Sequence, residues 1–92
     1  MRLVWSLRSE NDLAAIVNYI AADNLDAALE LDCRITSFAE SLLDFPKRGK
    51  PGRVAGTREL TVHEHYVLVY ETEGEDLRIL SVLHTSRQWP PK

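Results

Sequence analysis

Cysteine is almost missing from this sequence. The single thiol, Cys33, has no internal partner, so no disulfide framework holds the chain and a reduced, cytoplasmic setting is expected. Glycine and proline are scarce, with four of each in 92 residues, which excludes collagen-like and low-complexity architectures. No apolar run approaches the ~20 residues that cross a bilayer. Residues 1–10 hold no apolar stretch of signal-peptide length. Neither a membrane partner nor export is expected. There is no Walker motif, no Gly-rich dinucleotide loop and no Ser-His-Asp grouping, and no cofactor is expected. What remains is ordinary for a globular chain: 45% hydrophobic and 27% charged residues. The length fits one domain over 1–92 with a thin core.

Charge is distributed in blocks. The net charge is −3, but residues 9–46 carry eight acids against Arg34 alone. Residues 47–58 carry Lys47, Arg48, Lys50, Arg53 and Arg58 with no acid, and residues 59–76 carry six acids and no base. A nucleic-acid binder usually shows a basic stripe and a pI above ~9, so direct, specific nucleic-acid binding is not expected. The basic block reads equally as a solvated loop or as a contact for phosphate or an acidic protein segment.

Alternation over residues 2–6 predicts a first strand. Ser9 with Asp12 three residues on has the form of a capping box. Leu13, Ile16, Val17 and Ile20 then form one face of a helix ending near Ala22. Asp23 or Asn24 caps a second helix, antiparallel to the first. Its seam is Ala28, Leu31, Ile35, Phe38, Ala39 and Leu42, with Leu25, Leu29 and Leu43 widening the apolar face. Coverage of that face by the sheet and the first helix is the simpler expectation, and a partner is the other. Pro46 stops the helix. Residues 46–57 are a loop, with room for a short edge strand around 53–55. Strands follow over 58–63, 66–72 and 77–84, with short turns at 64–65 and 73–76 suited to antiparallel hairpins. The fold class is α+β: an N-terminal strand, an antiparallel helical hairpin, then an antiparallel meander of three to four strands.

Few residues offer chemistry. His63 and His65 flank Glu64, but no further cysteine or carboxylate lies at metal-ligand spacing, so exposed turn histidines and no metal are expected. Cys33 sits mid-helix beside Asp32, which disfavours a thiolate. His84, Arg87 and Trp89 follow the last strand. With Arg58 they supply an acid or base and cations for a phosphodiester site, or else simply end the strand and cover the core edge.

Three groups of segments together resemble the RelE/ParE toxin superfamily. The first is Asp-Leu-Ala-Ala-Ile-Val-Asn-Tyr-Ile over residues 12–20. The second comprises residues 24–28, Ser41-Leu42 and Phe45-Pro46, with Gly49-Lys50-Pro51-Gly52-Arg53-Val54. The third comprises Gly56-Thr57-Arg58-Glu59-Leu60, Tyr66-Val67-Leu68-Val69-Tyr70 and residues 79–90. The resemblance spans nearly the whole chain. It implies a bacterial type II toxin neutralised by a cognate antitoxin, with either the ribosome or DNA gyrase as target. RelE-like nucleases are basic, carry paired lysines before the hairpin, a basic residue after the tyrosine matching Tyr66, and a C-terminal tyrosine. Here the chain is acidic, Arg58 matches one of the two lysines and Leu60 the other, Val67 follows Tyr66, and Pro91 takes the last position. The tail resembles ParE. The resulting expectation is a gyrase-directed toxin without covalent chemistry of its own, its target contacts being Arg58, His84, Arg87 and Trp89. Tyr19, Leu25, Leu29, Lys50 and Arg53 are expected to meet the antitoxin. The alternatives are a ribosome-dependent endoribonuclease using Arg58, His84 and Arg87, and a non-toxic antitoxin-binding co-repressor.

Overall fold

The computed structural model describes residues 1–86. Seven elements succeed one another: β1 (Arg2–Trp5), α1 (Leu7–Ala21), α2 (Leu25–Ser41), β2 (Lys50–Pro51), β3 (Arg58–His63), β4 (Tyr66–Glu73) and β5 (Asp76–His84). The expected α+β order is present. The strands form one sheet in the order β1-β5-β4-β3-β2. β2 to β5 pair antiparallel, as the short turns require. β1 returns to the far edge and runs parallel to β5, with Arg2 opposite Asp76 and Trp5 opposite Ile79. Gly74 turns the β4–β5 hairpin at φ +58, which glycine adopts without a Cβ clash.

Both helices cover one face of the sheet, α1 against β5 and α2 against β3. The seam of α2 is buried at Ala28, Leu31, Ile35 and Ala39. It meets Leu60, Val62, Leu68, Tyr70, Leu77, Ile79 and Val82 in one cluster, with Leu13, Ile16 and Ile20 of α1 packed against it. Hydrophobic burial on this scale is what a thin core needs: each large aliphatic contributes about 1.5–3 kcal/mol.

Several boundaries differ from expectation for local reasons. The cap of α1 is Ser6, not Ser9: the Ser6 hydroxyl accepts the Ser9 amide at 3.1 Å. Ser9 is buried one turn inside the helix, and its hydroxyl donates to the Ser6 carbonyl at 2.8 Å. The second cap is Asn24, which accepts from the Ala27 amide at 3.0 Å. α2 stops at Ser41, before Pro46 is reached. There the Ser41 hydroxyl donates to the Phe38 carbonyl at 2.6 Å, a side-chain bond that competes with the helix. The wide apolar face is not covered by the sheet and α1: Leu25, Leu29 and Leu43 are exposed. The edge strand lies at Lys50–Pro51, not at 53–55. Residues 52–57 are closed into a loop by the Gly52 amide on the Thr57 carbonyl and the Thr57 hydroxyl on the Val54 carbonyl, at 2.8 and 2.7 Å, so they leave the sheet.

Two polar devices fix the sheet to its surroundings. The register of β4 and β5 shifts between Val69 and Tyr70, leaving Leu80 as an extra residue in β5. A bulge frees backbone groups, and here α1 satisfies them. Asp12 accepts from the Ser81 hydroxyl at 2.5 Å and the Val82 amide at 3.1 Å, while the Ser6 hydroxyl donates to the Leu80 carbonyl at 3.1 Å. The second device is Tyr70, fully buried in β4. Its hydroxyl donates to the Pro46 carbonyl at 2.8 Å and accepts the Gly49 amide at 2.9 Å. Gly49 must be glycine for this approach, since a Cβ there would lie 2.7 Å from the Tyr70 oxygen.

Candidate functional site

The end of β5 and the face of α1 enclose a cleft of about 420 Å³, lined by Asp12, Ala15, Ile16 and Tyr19 from α1 and by Tyr66, Val82, His84 and Ser86. The hairpin register places His84 opposite Tyr66. Their rings meet edge-on, with centroids 5.6 Å apart. His65, in the turn before β4, stacks on His84 at 5.5 Å, and His63 lies 5.7 Å from both His65 and Tyr66. All three histidines of the chain thus share one corner.

Their hydrogen bonds decide what this corner can do. The His84 Nδ1 lies 2.8 Å from the Ser86 hydroxyl and accepts the Ser86 amide at 3.2 Å. The His63 Nδ1 accepts the His65 amide at 3.2 Å. An Nδ1 that accepts a backbone N–H leaves the proton of the neutral ring on Nε2, so Nε2 offers a donor and no lone pair for a metal. Among the described residues, no three potential ligands stand close enough to hold an ion. The cleft has an acid–base group, two phenols and a carboxylate. Among the described residues that line it there is no lysine or arginine.

Arg58 is not part of this cleft. It pairs with Tyr70, whereas His84 pairs with Tyr66, and four residues along a strand span about 13 Å. Its guanidinium is half-buried and donates to the Gly49 carbonyl at 2.7 Å. Arg87 and Trp89 lie outside the described residues. Arg53 is engaged with Glu59, a buried carboxylate: the Arg53 amide donates at 2.9 Å and its guanidinium lies at 3.2 Å. Lys50 is exposed on β2. Tyr19, Leu25 and Leu29 are 82%, 60% and 52% exposed around the helical hairpin. Tyr19 joins the two expected surfaces, because it also walls the His84 cleft. The sequence reading missed Asp12, Tyr66 and Ser86 as cleft residues, and His65 as the ring that stacks on His84. Only the hairpin spacing of Tyr66 and His84 pointed to any of them, and the bulge at Leu80 obscured that register.

Comparison with known proteins gives the family. The ParE toxin of type II toxin–antitoxin systems matches residues 3–89. The chain belongs to the ParE toxin family. It is 38% identical over 90 residues to the toxin-like protein Y4kP of Sinorhizobium fredii, covering 97% of this chain and 93% of that protein. It is 34% identical over 86 residues to Toxin RelE2 of Caulobacter vibrioides, covering 94% and 97%. Among solved structures, the chromosomal ParDE system of P. aeruginosa superposes with a TM-score of 0.83 at 24% identity, over 91% of this chain and 95% of that one. The protein is therefore the toxin of a type II module within the RelE/ParE superfamily, and membership implies an antitoxin protein as its partner. No helix among the described residues of this ParE-family toxin is long and apolar enough to cross a membrane.

Proposed function

We propose that this toxin stops growth by binding DNA gyrase rather than by cleaving RNA. The observation that carries this reading is the cleft around His84. Its described lining holds Asp12 and no lysine or arginine, while Arg58 sits at the other end of β3 and bonds a carbonyl. A phosphorane formed beside His84 would face Asp12, whose carboxylate is shared by Ser81, Val82 and, at 3.9 Å, Arg8, with no described cation lining the cleft itself, and removing even one stabilising donor from such a site costs about 2.7–4 kcal/mol. A binding surface has no such requirement. Arg58, His84, Arg87 and Trp89 are assigned to the target, arginine and tryptophan being enriched at the energetic centres of interfaces.

The antitoxin is assigned to Tyr19, Leu25, Leu29, Lys50 and Arg53. Bound over Tyr19, it would close the mouth of the His84 cleft, which accounts for neutralisation by occlusion. Leu25 and Leu29 make the cleaner test, because Arg53 also holds Glu59. Leu25→Asp with Leu29→Asp should weaken antitoxin binding at least about tenfold in calorimetry, since buried apolar anchors each carry more than 1 kcal/mol. The melting temperature should barely move, both side chains being exposed. Unchanged affinity would remove this face from the antitoxin interface.

The reading as a whole is tested by titrating the toxin into a gyrase supercoiling reaction and adding antitoxin back. Inhibition with trapped, cleaved DNA that antitoxin relieves is the expected result. A second reading, RNA cleavage on the ribosome, is favoured by the Ser86–His84 contact at 2.8 Å and by the similarity to Toxin RelE2. Toxin that leaves gyrase untouched but cuts message in a translating extract, and loses this in His84→Gln, would establish it in place of the first.

A further inference from the structure

The lining of the His84 cleft is aromatic and anionic at once. Tyr66 and His84 meet edge-on, with centroids 5.6 Å apart, and Tyr19 lines the cleft from α1. Ala15, Ile16 and Val82 add apolar surface. Asp12 is the only acid among the described lining residues, and no lysine or arginine accompanies it.

The Asp12 carboxylate is held in place but its charge is not answered inside the cleft. Its side chain is 22% exposed. The Ser81 hydroxyl and the Val82 amide that bond it are both neutral donors. Arg8 comes no closer than 3.9 Å, is itself half exposed, and does not line the cleft. An exposed pair one turn apart on a helix is worth little. His84 accepts the Ser86 amide on Nδ1, as a neutral ring does, and so adds no positive charge. The faces of the tyrosine rings carry the negative end of their quadrupoles. Every one of these groups disfavours a phosphate. A bare metal ion has too few ligands, since no three stand together among the described residues. A flat organic cation suits both parts of the lining, its charge toward Asp12 and its face on a ring.

We propose that the cleft admits an arginine side chain of the toxin's protein target. The inference rests on the cleft being a protein-binding surface, and gyrase itself need not be the target. A guanidinium is planar, weakly hydrated and able to stack on an aromatic face while its edge donates to a carboxylate. A lysine ammonium is a compact, strongly hydrated point charge and gains less from such walls. Residues 9–46, which include α1, carry eight acids against Arg34 alone, so the approach to the cleft also favours a basic patch on the target.

The test is a backbone-amide NMR titration of the toxin with Nα-acetyl-arginine amide. Saturable shifts are expected at Asp12, Tyr19, Tyr66 and His84. The citrulline analogue has nearly the same shape without the charge and should bind at least about tenfold more weakly. The lysine analogue should also bind more weakly than arginine. Tyr19→Leu should weaken arginine binding about two- to fivefold, the loss of one exposed cation–π contact. Tyr19 is 82% exposed, so this variant keeps its fold. Asp12→Asn should weaken binding at least about tenfold, and Tyr19→Leu is the cleaner variant because Asp12 also holds β5. No saturable shifts in the cleft, citrulline or lysine binding as well as arginine, full affinity in Tyr19→Leu, or the same shifts with inorganic phosphate would each overturn the proposal. The titration contains no gyrase. Toxin that binds arginine but leaves supercoiling untouched loses its proposed target and keeps this cleft chemistry. Toxin that inhibits supercoiling but ignores arginine loses only the inference drawn here.

Discussion

Tyr70→Phe is expected to destabilise the toxin by about 3 kcal/mol, because it leaves one buried and one half-buried backbone group without partners and each orphan costs about 1–3 kcal/mol. The groups are the Gly49 amide and the Pro46 carbonyl. For a domain of this size the melting temperature should fall by roughly 12–24 °C. Phenylalanine keeps the ring, so the loss isolates the hydroxyl. Tyr70→Ala adds a cavity, for a total of about 5 kcal/mol, and should leave little folded protein at 37 °C. Gly49→Ala should resemble the phenylalanine variant, since its Cβ would stand 2.8 Å from the Tyr70 ring and 3.0 Å from the Glu59 carbonyl. Chemical denaturation read by fluorescence measures all three. A phenylalanine variant as stable as the parent would mean that water replaces the hydroxyl and that the loop is not held through it.

The second large effect is expected at Asp12. Asp12→Ala strands the buried Ser81 hydroxyl and the Val82 amide at the β5 bulge, a loss of about 2–3 kcal/mol. Asp12→Asn retains one acceptor and should lose about half as much. The combination with Ser81→Ala is informative, because removing both partners of a bond is milder than removing one. A coupling of about 1 kcal/mol or more between the two sites is expected from the double-mutant cycle. Additive losses would show that Asp12 acts through the Val82 amide alone. Since Asp12 also walls the His84 cleft, the same variants should alter amide shifts at Tyr66 and His84 while Arg58 stays unperturbed.

These two residues show where sequence reading succeeds and where it stops. The alternation of Tyr66, Leu68 and Tyr70 against Val67 and Val69 gives β4 directly, because a strand buried on both faces is apolar at every position. The seam of α2 from Ala28 to Leu42 is equally plain, since period and burial coincide. Ser9 and Asp12 mislead because a capping box and an inward-turned pair look identical in one dimension. What distinguishes them is β5, seventy residues away in sequence. The same holds for β1: nothing within residues 2–6 records that its partner is Asp76 to Ile79. Leu25 and Leu29 are apolar at helical spacing and remain exposed. Pattern alone does not say whether an apolar stripe meets the chain or another protein. For the cleft, single residues were visible and their company was not, because register shifts at Val69 and at Val62 decide which rings meet.

The parallel pairing of β1 with β5 also governs when the toxin comes into being during synthesis. Arg2 precedes its partner Asp76 by 74 residues, so β1 is made long before it has a strand to pair with. The helical hairpin can form early, since its contacts are local, but α1 has its sheet contact on β5 and must wait with β1. Pairings of such long sequence separation form slowly and late. The cleft around His84, drawn from α1 and from the end of β5, therefore has no partial version. It is created in the same final step that closes the sheet, and an interrupted message yields a helical fragment with an unpaired apolar strand and no cleft.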